Sequence, residues 1–205
     1  MTWRTIVIVV VVVLFGILAY VVWPREAEIR NYPPARSGIV AFGDSLVAGV
    51  GSTKGNDFVT DLSHKLSRPI VNLGVPGNTT ADGLARIGEL EQYDPGMVLV
   101  LLGGNDYLQK VPTPETFANL EKIVDRIQSR GAVVVLLGVQ GGVFSDPYGP
   151  RFEELAKKKQ AIYVPNVLDG LVLNRQYMAD AVHPNNAGYA LIAEKVYAAM
   201  ADYLK

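Results

Sequence analysis

Three short segments of this 205-residue chain carry residue types that together could perform acyl transfer through a serine. Ser45 stands in Gly43-Asp44-Ser45-Leu46, directly after the apolar run Ile39-Val40-Ala41-Phe42. A serine hydroxyl attacks a carbonyl effectively only when a base takes its proton. His183, in Asp180-Ala181-Val182-His183-Pro184, is the candidate base. Asp180, three residues earlier, is the carboxylate that would fix its tautomer and stabilise the imidazolium. The chain holds two histidines, and the other, His64, falls in a helical pattern on the side that faces solvent. Asn105, in Gly103-Gly104-Asn105-Asp106, has an amide able to donate to a developing oxyanion. Gly77, in Val75-Pro76-Gly77-Asn78-Thr79, can offer a backbone N–H to the same oxygen, and Gly74 competes for that role. Asp106 would orient its turn and takes no chemical step.

Each residue alone has an ordinary explanation. A serine after a strand caps helices, and Gly-Gly-Asn-Asp is an acceptable turn. The complete set, in workable chain order, is what points to catalysis. Gly43 and Gly49 allow a tight turn around Ser45. The motif is not G-x-S-x-G, so the nucleophile elbow of ordinary α/β-hydrolases is not indicated. Gly49-Val50-Gly51 lacks the third glycine of a dinucleotide fingerprint, Lys54 standing in its place. No Gly-Lys-Ser/Thr phosphate loop and no His/Asp/Glu cluster of metal-ligand spacing is present. The chemistry asks for no cofactor and no metal.

The elements that must hold these residues follow from apolar periodicity. Ile39–Phe42, Ile70–Leu73, Met97–Leu102 and Val133–Leu137 read as buried parallel strands, with Ala161–Val164 a weaker fifth. Helical stripes alternate with them: Phe58, Leu62 and Leu66; Leu84, Ile87 and Leu90; Phe117, Leu120, Ile123, Val124 and Ile127; Phe152 and Leu155; and Leu191, Ile192, Val196, Met200 and Leu204. The alternation predicts an α/β three-layer sandwich, flavodoxin-like, with a five-stranded parallel sheet in the order 2-1-3-4-5. The candidate residues then fall beyond the carboxyl ends of strands, where open α/β sheets bind ligands. The Gly- and Pro-rich stretch Gly138 to Gly149 is a long loop placed to wall a substrate groove.

Nineteen basic and 20 acidic residues leave a net charge of −1, so no basic field argues for nucleic acid. Absent cysteine excludes disulfides, thiolate chemistry and a lipidated N-terminal cysteine. Thr5 to Trp23 is nineteen uncharged residues, about 28 Å as a helix and close to a bilayer core. Trp3, Tyr20 and Trp23 sit where interfacial aromatics belong. Residues 1–25 therefore read as an N-terminal membrane anchor or uncleaved signal segment, 26–38 as a tether and 39–205 as the catalytic domain. Arg25, Arg30 and Arg36 beyond the segment outnumber Arg4 before it, which favours a cytoplasmic domain. The short basic flank before an apolar run favours export. The export reading is preferred: single-pass in the inner membrane, with the domain facing the periplasm or cell exterior. An extended tether of thirteen residues would reach about 45 Å at most.

From Ile39 to Leu204 the chain resembles the SGNH (GDSL-type) hydrolases. The family's four blocks contribute a serine, a glycine, an asparagine and a histidine. They fall on Ser45 in Phe42-Gly43-Asp44-Ser45-Leu46, Gly77 in Asn72-Leu73-Gly74-Val75-Pro76-Gly77-Asn78-Thr79, Asn105 in Gly103-Gly104-Asn105-Asp106, and His183 with Asp180. Gly83-Leu84-Ala85-Arg86 and Leu99-Val100-Leu101-Leu102-Gly103-Gly104-Asn105-Asp106 are similar to the bacterial periplasmic acyl thioesterase/lysophospholipase/arylesterase group. The resemblance implies an oxyanion hole made by the Ser45 N–H, the Gly77 N–H and the Asn105 amide, which chooses Gly77 over Gly74. It also implies a serine esterase acting on acyl esters or thioesters of lysophospholipid or fatty acyl type. The alternatives are an O-acetyl esterase of envelope polysaccharide, an acyltransferase, and a membrane-anchored binding module that lost turnover.

Overall fold

The structure is a computed structural model that describes Trp3, residues 28–142 and residues 146–204. The anchor expected at residues 1–25 lies outside the described residues apart from Trp3. No helix among the described residues is long and apolar enough to cross a membrane.

Five parallel strands, β1 (Ile39–Gly43), β2 (Ile70–Gly74), β3 (Met97–Leu101), β4 (Val133–Leu137) and β5 (Ile162–Val164), form one sheet in the order β2-β1-β3-β4-β5. This is the flavodoxin-like order the sequence predicts. Ile39 pairs with Ile70 and Met97, Met97 with Val133, and Val135 with Ile162. β1, β3 and β4 are wholly buried, as unbroken Val/Leu/Ile runs covered on both faces must be. β2 departs from expectation. It is half-buried, with Asn72 exposed, because it is an edge strand with a neighbour on one side only.

The helices are α1 (Ser45–Ala48), α2 (Phe58–Leu66), α3 (Thr80–Ala85), α4 (Gly104–Leu108), α5 (Thr113–Ser129), α6 (Gly149–Lys159) and α7 (Asn186–Met200). α2 and α7 pack together on one face of the sheet, and α3, α5 and α6 lie together on the other. The stripe Phe117, Leu120, Ile123, Val124 and Ile127 is buried along α5, as its 3.6-residue period dictates. Two expected helices differ. The stripe Leu84–Ile87–Leu90 is split: α3 ends at Ala85 and a 3₁₀ turn runs from Ile87 to Gln92. α7 stops at Met200, and Leu191 is exposed, because Tyr189, Ile192, Ala193 and Val196 supply its inner face.

Residues 28–38, expected as part of an extended tether, run along the amino-terminal edge of the sheet. The Arg30 N–H donates to Gln160 O at 2.9 Å. The Asn31 amide donates to Gln128 O and Ala132 O, both at 2.9 Å. Tyr32 packs edge-on against Tyr203, and Arg36 pairs with Asp94 at 2.6 Å and donates to Arg130 O. These contacts satisfy carbonyls at the carboxyl ends of α5 and α6 and just before β4, so the segment gains more by packing than by solvation. The reach of a free chain does not apply to it.

Candidate active site

The site forms where β1 ends. Gly43 lies between Gly74 and Leu101 in the sheet, and a Cβ there would strike the Leu101 carbonyl oxygen and the Val47 side chain. Glycine alone lets the chain turn sharply into α1. Asp44 caps that turn, its Oδ1 accepting the Leu46 N–H at 3.0 Å. Ser45 is therefore the first residue of the helix, and its own N–H has no acceptor among the described residues.

The structure brings Ser45, His183 and Asp180 into one hydrogen-bonded line. His183 Nε2 lies 3.0 Å from Ser45 Oγ, and His183 Nδ1 lies 2.8 Å from Asp180 Oδ2. The loop bearing the last two is braced by the Met178–Pro184 bridge before Asn185 caps α7. Asp180 Oδ1 accepts the N–H groups of Val182 and His183, both at 2.8 Å. Those contacts, the Val182 N–H first and then the His183 ring, hold the Asp180 pKa down at about 2. Asp180 is thus an anion at neutral pH and an acceptor for Nδ1–H, which leaves Nε2 free to take the serine proton.

The three oxyanion candidates, Ser45, Gly77 and Asn105, line the same cleft. Gly77 has φ +83°, a conformation natural to glycine, and its N–H has no acceptor among the described residues. Asn105 Nδ2 donates to Asn78 O at 3.0 Å, which fixes the plane of its amide. Its second N–H faces Asp44 Oδ2 at a long 3.4 Å, a contact an oxyanion can replace. Asp106, next to Asn105, is fully buried and accepts from Thr80 N–H at 2.8 Å and Thr80 Oγ1 at 2.5 Å. It ties α4 to the start of α3, a positioning part and not a chemical one. His64 is exposed on α2, away from these groups.

The cleft over Ser45 has a volume of about 400 Å³. Leu46, Val50, Leu108, Leu168, Val172 and Val182 give it mostly apolar walls, and Val139, Gln140 and Gly142 of the long loop close one side. Leu168 and Val172 were not among the sequence candidates; their i, i+4 spacing in an irregular segment is the only trace they leave.

Asp44 is 2 % exposed, and burial pushes its carboxyl up to about 7, aided by the nearby Asp106 and opposed by the Leu46 N–H and His183. The unfolded group ionises near 3.8. Between these values the folded protein keeps a proton that the unfolded chain releases, so Asp44 makes stability fall as pH rises from about 4 to 7. Asp180 acts oppositely, its contribution being lost as pH falls from 3.8 towards 2. Melting curves of Asp44→Asn against the parent chain should therefore diverge in favour of the variant between pH 4 and 7. Parallel curves would refute the buried proton.

A parallel α/β sandwich carrying a Ser–His–Asp line on a short turn at the carboxyl edge of its sheet, without a nucleophile elbow, is the layout of an SGNH-type hydrolase. The chain belongs to the GDSL-like Lipase/Acylhydrolase family, whose sequence model matches residues 41–191. It is 29% identical to "Esterase TesA" of Pseudomonas aeruginosa over 199 residues, 90% of this chain and 94% of that protein. It is 28% identical to "Thioesterase 1/protease 1/lysophospholipase L1" of Escherichia coli over 169 residues, 78% of this chain and 81% of that protein. The crystal structure of TesA superposes with a TM-score of 0.73 at 28% identity, covering 82% of this chain and 99% of that one. The protein is a hydrolase of the GDSL/SGNH esterase type.

Proposed function

We propose that the protein hydrolyses acyl esters or thioesters of lysophospholipid or fatty acyl type through Ser45, His183 and Asp180. The observation that carries the reading is the 3.0 and 2.8 Å hydrogen-bonded line opening into an apolar cleft. His183 Nε2 takes the Ser45 proton as Ser45 Oγ attacks the acyl carbonyl carbon. Charge collects on the former carbonyl oxygen, facing the N–H groups of Ser45 and Gly77 and the Asn105 amide. As the tetrahedral intermediate collapses, His183 gives its proton to the leaving alcohol or thiol. Water then attacks the acyl-serine, with His183 again taking and returning a proton, and the carboxylic acid departs. Asp180 stays ionised throughout and steadies the imidazolium.

A cleft of about 400 Å³ walled by leucine and valine is larger and more apolar than an acetyl group requires. The names of the relatives, an esterase and a thioesterase/lysophospholipase, support the same substrate range. The apolar run Thr5 to Trp23 supports a single-pass anchor in the inner membrane, and the short basic flank before that run supports a domain facing the periplasm or exterior. The test is hydrolysis of p-nitrophenyl esters from acetyl to palmitoyl. Activity should persist to long chains. Activity confined to acetyl would overturn the fatty acyl reading in favour of an O-acetyl esterase, and inertness with every ester would make the protein a binding module.

A further inference from the structure

We propose that Arg86 is a positioning residue for the oxyanion hole, holding all three of its donors in register from behind. The inference rests on the serine-hydrolase reading above. Arg86 stands at the break between α3 and the 3₁₀ turn, and its side chain is only 14% exposed. The guanidinium lies 4.1 Å over the Phe42 ring. Nη2 donates to Gly43 O at 2.8 Å and to Leu73 O at 3.0 Å. Nε donates to Asn78 Oδ1 at 2.6 Å, and Nη1 pairs with Glu89 at 3.0 Å.

Three of these four acceptors, Gly43, Leu73 and Asn78, each lead to one donor of the hole, and Glu89 steadies the guanidinium from the outer side. Gly43 is two residues before Ser45, so fixing its carbonyl fixes the turn that aims the Ser45 N–H. Leu73 is the penultimate residue of β2, just before the loop that presents Gly77. Asn78 follows Gly77 directly, and its carbonyl orients the Asn105 amide at 3.0 Å. The ends of β1 and β2 and the loop after β2 thus meet on one planar fork, whose rigid donor pattern no lysine reproduces. Arg86 does not reach the cleft lining and touches no reacting atom; it acts through Asn78 and the two strand ends. The break in the helix at Arg86, unexplained by the apolar stripe, is what this role requires.

A donor displaced by a fraction of an ångström weakens transition-state binding and leaves ground-state binding alone. The experiment compares Arg86→Gln, Arg86→Lys, Arg86→Ala and Asn78→Ala in ester kinetics, thermal melting and inhibition by a trifluoromethyl ketone, whose serine adduct carries an oxyanion. In Arg86→Gln and Arg86→Lys, kcat should fall about 10- to 100-fold with KM changed by less than about threefold. Affinity for the ketone should fall by the same factor as kcat/KM, and added guanidinium should restore part of the rate of Arg86→Ala. Asn78→Ala keeps the clamp on Gly43 and Leu73 and should lose about 5- to 10-fold in kcat, by the same logic. It decides the matter if the Arg86 variants do not fold. Folded variants with the parent kcat, or a loss carried by KM alone, would overturn the role of Arg86 and leave the serine mechanism standing. A parent protein inert towards esters and towards the ketone would overturn both.

Discussion

Ser45→Ala should lower kcat by about 10⁵-fold or more and abolish labelling by a fluorophosphonate, with thermal stability close to the parent. Among the described residues the Ser45 hydroxyl is the group hydrogen-bonded to His183 Nε2, at 3.0 Å, and none of the others stands in position to inherit its role. Removing it leaves the oxyanion donors and the cleft, which still bind substrate; KM should therefore change little. His183→Ala should cost a comparable factor, and the double variant hardly more than either alone. The two residues act as one unit, and the second deletion removes something already useless. Additive losses in the double variant would contradict a shared proton transfer. The measurement is single-turnover and steady-state hydrolysis of one p-nitrophenyl ester across the four proteins.

Asp180→Asn carries the second largest expected effect, a fall in kcat of about 10³- to 10⁴-fold. An asparagine fills the same space, and its carbonyl oxygen can still accept the Val182 and His183 N–H groups that Asp180 Oδ1 holds at 2.8 Å. What changes is the partner of His183 Nδ1. The carboxylate accepts there at 2.8 Å; an amide NH₂ donates and imposes the tautomer with Nε2 protonated. That tautomer cannot take the Ser45 proton. The loss should ease as pH rises far enough for hydroxide to attack without His183, whereas a folding defect would not follow pH that way. A variant within tenfold of the parent would mean that the line Ser45–His183–Asp180 is not the catalytic route. The expected loss is smaller than for Ser45 because the nucleophile and the oxyanion donors remain in place.

Apolar runs and short motifs in the sequence located the sheet and the addresses of the proposed chemistry. Unbroken apolar runs such as Met97–Leu101 and Val133–Leu137 can be satisfied only by burial on both faces, and their alternation with amphipathic stripes such as α5 leaves a parallel sheet as the natural solution. Ser45, Asn105, Asp180 and His183 stood out as candidates because each sits in a short motif whose residue types have a chemical reason to stand beyond a strand end, whereas Gly77 was separated from Gly74 only by the family resemblance. Local pattern was a poorer guide where tertiary neighbours decide the outcome. β2 is half exposed because it lies at the edge, the helix after it breaks at Arg86, and residues 28–38 lie flat along the sheet. Only the tertiary structure assembled the hydrogen-bonded line between Ser45 and His183, 138 residues apart, and the fork by which Arg86 reaches Gly43, Leu73 and Asn78. Only in the folded state do burial, first, and the neighbouring Asp106 carry the Asp44 carboxyl up to about 7. Periodicity records which face of an element is apolar. It holds no record of which distant carbonyl a guanidinium will meet, because that distance is set by how the layers pack.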